Sequence, residues 1–382
     1  MQFTFQNTTR IFFGEGQIST IAGEIPTDCK VLVVYGTGSI KKNGVYEQVC
    51  ASLIGHEWGE FGGIEPNPQY DTLMQAVKLI KRDNYEFLLA VGGGSVIDGA
   101  KFLSVASQYQ GEDPWDILKF GKLPDKALPI SCVLTLPAAS SESNIGSVIS
   151  RGQEKLFFKD ERVRPKFAIL DPSTTLSLSE DQICNGIVDA YVHILEQYLT
   201  YPVDAKVQDR FSESLLQILL EEGQRVLKSN NNMDARSNLM WAISIAHNGL
   251  LGAGVPQDWT THMIGHELTG NYGIAHARSL TIILPAVMKL RREQKKDKLI
   301  QYANRVFGLD TSNEQEAVEV AIQKTLAFFK FMKMPTSLTE IGLDGETVNT
   351  VLNSLAYHER LCLGEHGDIG IDECRLILEL AK

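Results

Sequence analysis

The chain changes character once, near residue 180, and that change restricts its possible folds more than any other feature. Before it, short β-branched apolar runs alternate with amphipathic stretches. Lys30–Tyr35, Phe87–Val91, Ile130–Leu136 and Phe167–Leu170 read as buried strands, several ending in Gly, Pro or Ser. Leu73–Arg82 and Ser95–Ser107 carry helical periodicity. Continuously apolar strands alternating with helices predict a parallel sheet covered on both faces. After residue 180 the strand signals stop. Ser179–Glu180–Asp181 opens a helix through Tyr198, and helical patterns recur at about 203–228, 235–252, 279–308, 314–333 and 346–357. The expectation is an α/β domain over residues 1–180 followed by an all-α domain over 181–382, a division that suits a chain of 382 residues. The meeting of a sheet domain with a helical one is a common place for an active-site cleft.

Composition removes several classes of function. A net charge of −11 works against nucleic-acid binding, which needs a basic face. No run approaches the ~20 apolar residues of a membrane span, and the amino terminus lacks a basic stretch followed by an apolar one. The six cysteines are scattered without a CxxC pair, which suits buried thiols in a reducing compartment. A cytoplasmic enzyme acting on a small molecule fits these facts.

Two glycine turns point to a phosphate-bearing ligand. Gly92–Gly93–Gly94–Ser95 follows an apolar strand and opens a helix that continues through Asp98 and Lys101. Glycine there lets backbone approach a phosphate, and a helix amino terminus offers free N–H groups and partial positive charge. The run is not GxGxxG, so an ordinary Rossmann assignment does not follow. The second turn, Tyr35–Gly36–Thr37–Gly38–Ser39–Ile40–Lys41–Lys42, supplies small residues, a hydroxyl and two lysines but no carboxylate. That composition tolerates a 2′-phosphate and favours NADP over NAD. Judged alone, the same turn is also a loop with two solvated lysines.

The second half offers metal-ligating side chains at helical spacing. Asp189 and His193 lie four residues apart in one helical pattern, and His262 and His266 repeat that spacing. His276 follows ten residues later, so four of the eight histidines fall in two apolar regions. One Asp and three His make a zinc or ferrous-iron site, leaving a fourth His for proton handling. A single such pair is as easily a surface or core pair. His56, His358 and His366 read as surface residues, and His247, in an apolar helix, as a satisfied core histidine.

Together these residues resemble the iron-activated (group III) alcohol dehydrogenase family, most closely its NADPH-dependent aldehyde reductase and butanol dehydrogenase branch. The resemblance spans essentially the whole chain. It rests on Phe61–Gly–Gly–Ile–Glu–Pro–Asn67–Pro, Gly92–Lys101, Asp171–Pro172, Asp189-x3-His193 and the segment from Gly254 through His262 and His266 to His276. It implies a dinucleotide-binding first domain, a helical metal-binding second domain and a homodimer. The implied ligands of one divalent metal, Fe2+ or Zn2+, are Asp189, His193, His262 and His276. Implied contacts to NADP(H), with NAD(H) the alternative, begin with Gly36, Gly38 and Ser39 at the adenosine ribose. Asn67, Gly93, Gly94 and Ser95 follow at the pyrophosphate, then Asp98, Thr135, Asn144 and Lys155 nearer the nicotinamide. His266 corresponds to an extra histidine beside the family's active site and is the candidate proton relay.

The implied activity is hydride transfer between a nicotinamide cofactor and a small aldehyde or alcohol, with the metal as Lewis acid. Glycerol- or diol-specific oxidation is the alternative within the superfamily. A dehydroquinate-synthase-like lyase is disfavoured, because the segments around Asp189 and His262 are apolar rather than lined with Lys, Arg and Asn. One departure stands out: the family typically has Thr–Gly–Ser–Glu where this chain has Ala139–Ser140–Ser141–Glu142. Losing the threonine hydroxyl removes a hydrogen bond worth ~0.5–1.5 kcal/mol, which Ser140 or Ser141 could replace.

Overall fold

The computed structural model describes residues 2–382, and the chain separates into two compact units. One comprises Gln6–Leu178 with Asn230–Met240; the other comprises Ser179–Ser229 and Trp241–Lys382 with the amino-terminal segment up to Phe5.

The first unit is built on a six-stranded sheet in the order β1 (Arg10–Phe13), β8 (Phe167–Leu170), β5 (Ile130–Leu136), β4 (Phe87–Gly93), β2 (Val31–Tyr35) and β3 (Trp58–Phe61). Every neighbouring pair is parallel. Its helices are α1 (Ile21–Glu24), α2 (Val45–Ser52), α3 (Tyr70–Asp83), α4 (Gly94–Ala106) and α5 (Asp116–Phe120). The pleat sends alternate residues to opposite faces. Leu32, Val34, Leu88 and Ala90 pack with Leu73, Val77 and Ile97 on one side, while Val31, Val33, Leu89 and Val91 pack with Ile18, Val45 and Val49 on the other. Each aliphatic side chain so buried contributes roughly 1.5–3 kcal/mol. A separate antiparallel hairpin, β6 (Gly146–Arg151) and β7 (Glu154–Lys159), completes the strands.

The chain leaves β2 for β3 on one side and then crosses to β4 on the other. Ligands of open α/β sheets bind beyond the carboxyl ends of strands at such a reversal. Both glycine turns lie there, at the ends of β2 and β4.

The second unit is helical: α6 (Glu180–Tyr198), α7 (Lys206–Lys228), α9 (Thr260–Tyr272), α10 (His276–Leu290), α11 (Lys296–Phe307), α12 (Glu314–Phe331), α13 (Gly345–Tyr357) and α14 (Ile371–Leu380). The remaining helix, α8 (Met233–Ala246), starts in the first unit's segment and ends in the second's. Ser179 caps α6 through a reciprocal pair with Gln182, and Glu180 and Asp181 favour its positive end. The single helix expected over 279–308 is two helices, interrupted at 291–295. No Gly or Pro breaks it. Arg291 and Lys295 instead reach Asp368 and Glu365 far along the chain, the second pair buried and the first half-exposed at Asp368.

Candidate metal centre and nucleotide turns

In α6 the four-residue spacing brings Asp189 and His193 onto one face, both buried. His193 Nδ1 lies 2.7 Å from the Asp189 carbonyl oxygen and donates to it, so Nε2 carries the lone pair. Glu196, one turn further on, accepts hydrogen bonds from the Thr261 N–H at 2.6 Å and from His262 Nδ1. A carboxylate on Nδ1 fixes the His262 tautomer and leaves its Nε2 lone pair exposed too. These two Nε2 atoms face each other at 3.1 Å.

Two lone pairs at that distance repel unless a positive charge lies between them. Asp189 Oδ1 is buried and has no hydrogen-bond partner among the described residues, and it sits 3.7 Å from both His193 Nδ1 and His276 Nε2. Ligand atoms of Asp189, His262 and His276 all lie within 4.8 Å of one another, with His193 joined through His262. One hard carboxylate oxygen and converging neutral imidazoles suit a divalent zinc or iron ion. Burial and the nearby Asp258 carboxylate push the Glu196 carboxyl upward, opposed by the Thr261 N–H.

His266 is buried one turn beyond His262, its ring centroid 5.1 Å from that of His276. Three histidines depart from expectation. His247 lies just past the end of α8, half-buried, with its ring 4.7 Å from His193 and 5.0 Å from Trp259, beside the cluster rather than in a core. His358 is no surface residue: its side chain is 10% exposed and its Nδ1 pairs with Glu267 at 2.9 Å. His56 is half-buried against the Ile25 carbonyl oxygen, whereas His366 is exposed and stacks on Tyr201. Glu196 escaped the sequence reading, although its place three residues after His193 on the same helix face was the signal for it.

In the first unit, Gly38 holds φ +96°, a backbone state that glycine tolerates, and a Cβ on Gly92 would come within 2.6 Å of the Val96 side chain. α4 starts at Gly94 without a side-chain cap or an acidic residue in its first turn, leaving its N–H groups for an anion. Asn67, itself at φ +56°, accepts a hydrogen bond from Lys155 Nζ at 3.0 Å. Thr135 is buried near the end of β5.

Asp98 and Asn144 also hydrogen-bond within the protein. Asp98 accepts from Ser141 Oγ and the Val148 N–H, and Asn144 Oδ1 accepts from Lys101 Nζ at 2.7 Å. Lys101, wholly buried, also donates to Ser141 Oγ and the Gly146 carbonyl. Burial raises the Asp98 carboxyl and lowers the Lys101 ammonium to about 8. The departure at 139–142 now has a structure: Ser141 joins Asp98 to Lys101, and Ser140 sits in the left-handed region at φ +55°.

The fold also brings up a carboxylate that the second turn lacks. Glu60 in β3 pairs with Lys41 at 2.8 Å and accepts from Tyr35 and Tyr46, whose rings flank the lysine. Burial raises the Glu60 carboxyl, but these donors outweigh it and hold it low.

An α/β unit whose main sheet is all parallel, with glycine turns at its reversal, and a helical unit carrying an Asp/His cluster point to a nucleotide- and metal-dependent class of enzyme. The profile of iron-containing alcohol dehydrogenases matches residues 8–172, and that of the carboxy-terminal region of the same family matches 183–379. The chain belongs to the iron-containing alcohol dehydrogenase family. It is 50% identical to the NADPH-dependent aldehyde reductase YqhD of Escherichia coli (strain K12), covering 100% of this chain and 99% of that one. A crystal structure of Escherichia coli YqhD superposes with a TM-score of 0.98, at 50% identity and over 100% and 99% of the two chains. NADP-dependent alcohol dehydrogenase 3 of Entamoeba histolytica is 39% identical over 99% of this chain and 98% of its own. A probable NADH-dependent butanol dehydrogenase 1 of Bacillus subtilis is 37% identical over 91% and 92%.

Proposed function

We propose that this enzyme reduces short- to medium-chain aldehydes with NADPH, using a divalent metal held by Asp189, His193, His262 and His276. The observation that carries the metal assignment is the pair of imidazole Nε2 lone pairs facing at 3.1 Å beside the unpartnered Asp189 Oδ1. When bound, the metal supplies Lewis acidity toward the carbonyl oxygen and the nicotinamide supplies hydride. The protein holds and orients. Glu196 fixes the face of His262, and the α4 amino terminus with Gly93, Gly94 and Ser95 receives the pyrophosphate. Asn67 would join them at the pyrophosphate, and Asp98, Thr135, Asn144 and Lys155 would contact the cofactor nearer the nicotinamide. Gly36, Gly38 and Ser39 take the adenosine ribose.

Two observations favour NADPH. Lys41 stands in that ribose turn, where its ammonium could meet a 2′-phosphate, and the Glu60 carboxylate beside it already accepts from Lys41, Tyr35 and Tyr46. Two of the relatives above are named as NADPH- or NADP-dependent and one as NADH-dependent. His266 carries the proton to the product oxygen, supported by its burial beside His276. The reading includes a homodimer, on the resemblance alone, and a cytoplasmic setting, which the six unpaired cysteine thiols fit. Among the described residues no helix is long and apolar enough to cross a membrane.

The test is initial rates of butyraldehyde reduction by metal-stripped protein, reloaded separately with zinc and ferrous iron, with NADPH and NADH compared. Metal-dependent turnover favouring NADPH is expected. A preference for NADH would defeat the reading of the Lys41 turn and leave the metal chemistry standing. His266→Asn should lower kcat roughly a hundredfold, and full turnover would remove the histidine from the proton path.

A further inference from the structure

The second unit buries three ionisable side chains that the chemistry above does not use. Lys295 Nζ lies 2.8 Å from Asp258 Oδ2 and 2.8 Å from Glu365 Oε1, and all three side chains are 4% exposed. A buried triad of this kind gains little net stability, because desolvation offsets most of the attraction. Its value lies in where its members are anchored.

Helix α6, which carries Asp189, His193 and Glu196, ends near Tyr198 with carbonyls that no helical N–H can reach. Lys295 Nζ donates to one of them, Leu199 O, at 2.6 Å, and the Asp258 N–H donates to another, Glu196 O, at 2.8 Å. Helix α9, which carries His262, begins at Thr260, whose N–H donates to Asp258 Oδ1 at 2.9 Å. A cation therefore sits at the negative end of α6 and an anion at the positive end of α9, the favourable sense for both helix dipoles. Burial would raise the Asp258 carboxyl, but the Lys295 ammonium together with hydrogen bonds from Glu365 and Thr260 outweighs it and holds the group down to about 2, so the anion persists.

We infer that Lys295 and Asp258 are positioning residues that lock the end of α6 to the start of α9, and thereby set Glu196 against His262 in the metal centre. Glu365 accepts from the same ammonium through both its oxygens, at 2.8 and 2.9 Å. The inference rests on the proposed ligand set for its consequence, but the lock itself does not depend on a bound ion.

The experiment has two arms, on Lys295→Met and Asp258→Asn in the full chain, with the sheet-core truncation Leu89→Ala as a control for general destabilisation. In metal-free protein, hydrogen exchange is followed at Thr260–His262; in zinc-loaded protein, the rate of zinc loss to a chelator is followed without turnover. Both variants should exchange at least tenfold faster at Thr260–His262 and lose zinc at least tenfold faster, with Leu89→Ala near wild type in both. Wild-type exchange in the folded variants, or equal acceleration in Leu89→Ala, would overturn the lock. Wild-type protein that holds no zinc would overturn the ligand set instead, and the exchange arm would still decide the lock. Should Lys295→Met fail to fold, Asp258→Asn keeps an acceptor for Thr260 and decides alone.

Discussion

The two units treat buried polar groups in opposite ways. In the α/β unit, Lys101 is wholly buried and its three N–H donors meet Ser141, Asn144 and the Gly146 carbonyl. In the helical unit, Asp189 Oδ1 is also enclosed and meets no donor among the described residues, while two imidazole Nε2 atoms face each other at 3.1 Å. Leaving a buried acceptor unsatisfied costs ~1–3 kcal/mol. A complete network is scaffold; an incomplete one in the same chain is reserved for something the chain does not supply.

Asp189→Asn breaks this comparison most sharply. The change keeps the shape, removes the anionic ligand and should lower kcat/KM on the order of a thousandfold or more. Thermal stability of the metal-free protein should hardly move, because the wild-type oxygen gains nothing from the fold. A large stability loss without metal would show that Asp189 is scaffold after all.

Lys101→Met should behave the other way round. Removing one member of a buried, hydrogen-bonded network costs about 3 kcal/mol, readable by urea unfolding. Burial lowers this ammonium from 10.5 to about 8. Below about pH 8 the lysine is charged in both states and the whole cost of burying the charge is present. Between about 8 and 10.5 only the unfolded chain keeps the proton, so stability rises with pH. Wild type should therefore gain on Lys101→Met across that window, and a flat difference would contradict the assignment.

This contrast also explains what the sequence revealed. Strands β2, β4, β5 and β8 announced themselves because both faces are buried, giving unbroken apolar runs. Edge strands β1 and β3 did not, since Arg10–Phe13 and Trp58–Phe61 are only partly covered and carry no such run. With β3 went Glu60, the carboxylate that only tertiary pairing brings to Lys41. Asp189 and His193 were legible because one helix sets their spacing. Helix α9 itself was not, for Thr260, Thr261 and Gly265 are poor helix formers held by Asp258 and Glu196. The same dependence on distant partners hid Lys101, whose acceptors lie 40 to 45 residues along the chain.

Glu196→Gln sharpens the comparison at intermediate size. The amide keeps the volume but no longer presents two acceptor oxygens to Thr261 and His262 Nδ1, so the His262 tautomer is no longer fixed. Metal affinity should fall roughly 10–100-fold by chelator competition, with metal-free stability altered far less. An unchanged affinity would place the orienting role elsewhere, with the Thr261 backbone contact as the surviving function of Glu196.

The smallest effect belongs to Ser140, where the α/β unit departs from its family. A left-handed backbone costs a non-glycine residue roughly 1–2 kcal/mol, and Ser140 holds φ +55° while buried. Ser140→Gly removes that strain but adds ~0.5–1 kcal/mol of unfolded-chain entropy and forfeits the hydroxyl's contacts. The terms nearly cancel, so a melting temperature within a few degrees of wild type is expected. The Ser140 carbonyl would still accept from the Ser143 and Asn144 N–H groups, and Ser141 would still bridge Asp98 and Lys101. NADPH affinity should therefore stay close to wild type. A marked loss of affinity would mean that the Ser140 hydroxyl, and not Ser141, replaces the family's threonine.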